Sequence, residues 1–65
     1  MIMRRSHITK LRELLGLNKK LFAELMGVSP GIITSWESGR TKPNQERQER
    51  LRVMMIERGI IKDDR

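Results

Sequence analysis

Sixty-five residues with no cysteine make one small domain that must fold on apolar packing alone, without disulfides or a cysteine-based metal site. No apolar run approaches the roughly 20 residues a membrane-spanning helix needs. The opening "MIMRRSHITK" carries two arginines with no apolar stretch behind them, unlike a secretory signal. The net charge of +6 favours a polyanionic partner. That surplus is uneven: residues 1–42 hold eight Lys/Arg against three Glu, and residues 43–65 hold six against five acids. The absence of cysteine fits a reducing, cytoplasmic setting.

Taken in chain order, the sequence is punctuated as a series of helices with no convincing strand and no internal repeat. An arm of residues 1–5 precedes Ser6, a good N-cap. From there a first helix is expected to run to Leu15, stopped by Gly16, with Ile8, Leu11 and Leu15 on its apolar side and Leu14 beside them. Asn18 should cap a second helix that presents Leu21, Phe22, Leu25 and Met26 as a stripe and ends at Gly27. Ser29 and Pro30 open a third, because a proline at the first helical position loses an N–H that had no intrahelical partner anyway. That helix ends by Gly39. After "TKPN", Asn44 can cap a fourth helix reaching about Arg58, before Gly59. The tail 62–65 is expected to fray.

The connection between the second and third helices is only Gly27, Val28 and Ser29, which forces the two to cross steeply and pack at once. Ala23 suits the point of closest approach. Val28, Ile33 and Trp36 would plug the angle, so the single tryptophan reads as a core residue and not as a base-stacking platform. The fourth helix is lopsided: its first half, "NQERQER", is polar, while Leu51, Val53, Met54, Met55 and Ile56 crowd the second. Five apolar residues in six positions wrap too far around a helix to face one core. Met55, Ile56, Ile60 and Ile61 are therefore set aside as a homodimer interface.

From Leu11 to Pro43 the pattern Phe22, Ala23, Met26, Gly27, Val28, Ile33, Trp36, Glu37, Gly39 and "RTKP" resembles the Cro and lambda-repressor-like (XRE-type) helix-turn-helix family. More weakly, "SWESGR" is similar to the end of the recognition helix in small anti-CRISPR-associated repressors. The resemblance implies an all-α, compact four-helix or five-helix domain, with the helix-turn-helix at about 18–38. It implies DNA base contacts from Ser29, Pro30, Gly31, Ile32, Thr34 and Ser35 on the third helix. Phosphate contacts would come from Asn18 and Lys19 before it, and from Ser38, Arg40, Thr41 and Lys42 after it. Arg4 and Arg5 are candidate arm contacts to the minor groove or to phosphate. Glu37 would pair with Arg12 as a structural brace, since an unneutralised acid so close to DNA would be repelled.

Pro30 and Gly31 depart from the family's pattern, for neither has a side-chain donor or acceptor. Base readout by this helix alone is thin, and DNA shape or another segment must add to it. The expected function is a sequence-specific double-stranded DNA-binding regulator. The resemblance implies a homodimeric repressor of its own phage or mobile-element operon, binding an inverted repeat. The alternative is an antitoxin that binds a toxin and autoregulates its operon, although 65 residues leave little room for a toxin-binding extension. No paired carboxylates with a basic partner, no His cluster and no Cys point to catalysis, and no cofactor or metal is implied. The charges do not line one long amphipathic helix, as binding to a membrane surface would require.

Overall fold

The computed structural model describes residues 5–62. Four helices follow one another: α1 (Arg5–Leu14), α2 (Lys19–Met26), α3 (Pro30–Ser38) and α4 (Gln45–Glu57). Each boundary has a local cause. Asn18 takes an extended backbone conformation and its side chain accepts the Leu21 N–H at 2.8 Å. Asn44 does the same for the Arg47 N–H at 2.9 Å. Each thereby satisfies one of the orphan donors of a first helical turn. Gly27 and Gly39 close α2 and α3 at φ 73° and 81°, the left-handed conformation that costs a residue with a Cβ roughly 1–2 kcal/mol.

The start of the first helix differs from expectation. Ser6 lies inside α1 and is not its cap, because the helix already includes Arg5. At the other end, Leu15 and Gly16 form a closing turn, with the Leu15 N–H donating to the Leu11 carbonyl at 3.0 Å. Arg5, expected in the arm, is therefore part of the helix. Arg4 lies outside the described residues, as do positions 63–65 of the tail.

α1 packs on both α3 and α4, and α2 packs on α3. The core between them is Ile8, Leu11, Phe22, Ala23, Met26, Ile33, Trp36, Leu51, Met55 and Ile61. Leu15, Leu17, Val28, Met54, Ile56 and Ile60 pack partly buried against it. Burying one such large side chain stabilises by roughly 1.5–3 kcal/mol, so a domain this small has few to spare.

Two expectations about apolar residues need correction. Leu21 and Leu25, read as part of the α2 stripe, remain 46% and 44% exposed. Phe22, Ala23 and Met26 already span the roughly 100° sector that an eight-residue helix can turn inward, and Leu21 and Leu25 fall on its flanks. Met55 and Ile61, set aside for a second chain, are instead buried in the core at 0% and 8% exposure. Met55 follows Leu51 by one helical turn and shares its inward face, while the turn at Gly59 folds Ile61 back. Ile56 and Ile60 are half-buried, and Val53, on the outer side of α4, is 44% exposed.

Candidate nucleic-acid interface

α3 has two sharply different sides. Ile33 and Trp36 are buried, against α1 and α2. Ser29, Pro30, Gly31, Ile32 and Thr34 are exposed, and Ser35 is half-buried at the border. All six residues expected to read bases therefore lie on or beside the accessible side of one short helix. Asn18 and Lys19 are exposed at the start of α2. Ser38, Arg40, Thr41 and Lys42 are exposed at and beyond the end of α3, so cationic and amide groups sit before and after that helix. Lys20, which is not among the expected phosphate contacts, is exposed beside Lys19. The only signal for it was the basic pair at a helix start.

The beginning of α3 is chemically distinct from those of α2 and α4. Ser29 takes the extended cap conformation but makes no side-chain cap bond. Pro30 has no N–H, and the Ile32 N–H is drawn to the Ser29 carbonyl at 3.0 Å. That leaves the Gly31 N–H, with no Cβ over it, as the first-turn donor an acceptor from outside can meet. The hydroxyls are partly engaged. Thr34 Oγ1 donates to the Pro30 carbonyl at 3.4 Å, and Ser38 Oγ to the Ser35 carbonyl at 3.1 Å. These bonds are weak or exposed, and the oxygens keep their lone pairs, so both remain competent polar contacts.

Glu37 meets Arg12 as a two-pronged pair, with Arg12 Nε donating to Oε2 at 2.7 Å and Nη2 to Oε1 at 3.3 Å. The third nitrogen, Nη1, donates to the Leu17 carbonyl at 3.2 Å. The two side chains are only 17% and 10% exposed. The hydrogen bond to Glu37 holds the Arg12 pKa above its ordinary value, and the partial burial opposes that rise without cancelling it. The acid on α3 is thus neutralised from α1, and the helix cannot roll without breaking a charge-assisted fork.

Arg5 corrects the expectation of a free basic arm. It is the first residue of α1, and its Nη1 donates to the Ser38 carbonyl at 2.9 Å, at the far end of α3. In the sequence Arg47 and Arg50 stand out only as part of a polar helix half. Arg47 Nε donates to the Met26 carbonyl at 3.3 Å and its Nη2 to the Gly27 carbonyl at 3.5 Å. Arg50 Nη2 donates to the Leu25 carbonyl at 3.4 Å. α4 thereby supplies cations to the carbonyl end of α2, where the helix dipole favours them. Local sequence carried no sign of this, because the partners lie 20 or more positions away.

A family model described as Helix-turn-helix matches residues 8–51, well over half of the chain. The chain belongs to the XRE/lambda-repressor-like helix-turn-helix family. It is accordingly a DNA-binding transcription regulator whose partner is double-stranded DNA. The match runs from the Ile8 anchor of α1 to Leu51 of α4, and so contains the Arg12–Glu37 pair and nearly the whole core of this helix-turn-helix protein. No curated protein and no solved structure matches it. Among the described residues no helix is long and apolar enough to cross a membrane.

Proposed function

We propose that this regulator is a homodimeric repressor that binds an inverted repeat by laying α3 in the major groove. The observation that carries this reading is the two-sidedness of α3. Its buried Ile33 and Trp36 fix the helix, while an exposed hydroxyl-bearing face is flanked by the exposed groups at 18–19 and at 38–42. The major groove admits one α-helix, and residues in the N-terminal part of such a helix meet base edges. Ser29, Thr34 and Ser35 are assigned to base hydrogen bonds, and Pro30 and Ile32 to thymine methyl groups. Gly31 is assigned to close backbone approach. Asn18, Lys19, Ser38, Arg40, Thr41 and Lys42 are assigned to phosphates. Hydroxyls discriminate less than a bidentate Arg–guanine pair, so DNA shape contributes to specificity.

Dimerisation is assigned to the outer side of α4 and the turn after it, through Val53, Ile56 and Ile60, in place of the buried Met55 and Ile61. Control by the protein's own concentration is the simplest scheme. The family resemblance, and more narrowly "SWESGR", supports autorepression of a phage or mobile-element operon, including an anti-CRISPR-associated one. Selection of bound sites from random duplexes tests the reading. The expected product is a two-fold symmetric sequence with half-sites about 34 Å apart, one turn of the duplex. An unenriched pool, or an asymmetric site bound by one chain, would overturn it. Tight co-purification with a second protein and no enriched site would favour the antitoxin role instead.

A further inference from the structure

Arg5 and Arg12 are seven residues apart on α1, close to two full turns, so they share one side of that helix about 10.5 Å apart. Their guanidinium groups nevertheless converge on consecutive positions of α3. Arg12 holds the Glu37 carboxylate, and Arg5 holds the Ser38 carbonyl. Ser38 is the last residue of the helix, where carbonyls lose their intrahelical partners. Two of the other terminal carbonyls find donors nearby. That of Ser35 receives the Arg40 and Thr41 N–H groups at 3.0 and 3.3 Å, and that of Trp36 receives the Gly39 N–H at 3.2 Å. Among the described residues no backbone N–H reaches the Ser38 carbonyl, and its donor comes from 33 positions upstream.

Gly39 makes the approach possible. A Cβ at that position would stand 2.9 Å from Arg5 Nη1 and 3.1 Å from its Cδ, so the Arg5 side chain would have to move from its place. The absence of a side chain at Gly39 therefore serves two purposes: it permits φ 81°, and it opens the seat in which the Arg5 side chain lies.

We propose that Arg5 is a positioning residue for DNA binding. Together with Arg12 it brackets the end of α3 from α1, and its bond over Gly39 sets the direction in which Arg40, Thr41 and Lys42 leave the helix. The inference rests on reading 38–42 as phosphate contacts, and it adds a cause for their geometry. Arg5 itself acts through those residues and not as a further phosphate ligand.

The test is a double-mutant cycle on the full chain, with binding to a duplex of mixed sequence measured by anisotropy over a salt series. Arg5→Met keeps the aliphatic stem and removes the donors. It should weaken binding roughly three- to tenfold, the worth of one hydrogen bond, while Trp36 fluorescence melts stay within a few degrees of the parent. In an Arg40→Ala/Lys42→Ala background the same change should have no further effect. Amide relaxation should show Gly39, Arg40 and Thr41 more mobile in Arg5→Met than in the parent. Additive losses, with the salt slope falling by about 0.9 in both backgrounds, would make Arg5 a direct phosphate contact and overturn the proposal. Melting more than about 10 °C below the parent would mark Arg5 as a residue that holds the fold, and would overturn it as well. If Arg40→Ala/Lys42→Ala alone leaves affinity unchanged, the phosphate reading itself fails and takes the positioning role with it.

Discussion

Single residues at the C-terminal end of α3 carry more constraint than their exposure suggests. Glu37→Ala removes both prongs from Arg12 and leaves a poorly hydrated guanidinium with only the Leu17 carbonyl. Stranding one partner of a fully buried pair costs roughly 3–5 kcal/mol; the residual exposure of this pair lowers that to about 2–3 kcal/mol. For a domain of this size the melting temperature should drop by about 10–20 °C, read from Trp36 fluorescence. A melt matching the parent would show that the pair braces nothing. Gly39→Ala is the complementary case, since it breaks no bond directly. It places a Cβ at φ 81° and pushes into Arg5, so a loss of about 1–2 kcal/mol from the backbone alone is expected. Its DNA affinity should fall as well, because Arg5 is displaced from the Ser38 carbonyl.

At the scale of elements, α3 is a short rod held from one side and offered on the other. That arrangement assigns different work to its face and to its flanks. Thr34→Ala and Ser35→Ala should alter the ranking of bound sequences in a selection experiment, since hydroxyl contacts to base edges carry sequence information. Lys19→Ala and Arg40→Ala should weaken binding on all sequences alike, and each should reduce the steepness of the salt dependence by about 0.9. Identical behaviour of the two groups across sequences would remove the distinction. α4 has its own mechanical role. Arg47 and Arg50 bind the last carbonyls of α2 and so tie α4 to the helix-turn-helix. Arg47→Ala should cost about 1 kcal/mol in a denaturant titration, in line with long, partly exposed bonds to neutral acceptors.

For the molecule as a whole, the apolar residues of its C-terminal third have two distinct fates. Met55→Ala opens a cavity at a fully buried site and should cost roughly 2–5 kcal/mol, a large fraction of what holds so small a domain together. Val53→Glu places a charge on the outer side of α4, where exposure tolerates it in a lone chain and a dimer would not. Sedimentation should show this variant as a folded monomer with weakened operator binding. Unchanged association would move the dimer contact elsewhere on the surface.

Much of the fold was legible because its signals are local. Asn18 and Asn44 declare helix starts by the geometry of their own side chains. Gly27 and Gly39 declare helix ends because left-handed backbone is cheapest without a Cβ. The exposed face of α3 followed from helical periodicity once Ile33 and Trp36 were placed inward. Where periodicity left a choice, local reasoning failed. Leu21 and Leu25 are as apolar as Phe22 and Met26, and only the angular width of the packed sector excluded them. Met55 and Ile56 are adjacent and chemically alike, yet the position of α1 decided which of them the core would take. The sequence by itself determined the order of helices and the residues that face outward on α3, through caps, breaks and spacing. Only the tertiary structure decided that Arg5 would seat over Gly39 and that Arg47 and Arg50 would hold α2. Those contacts join residues 20 to 33 positions apart, and no local propensity encodes a distance of that kind.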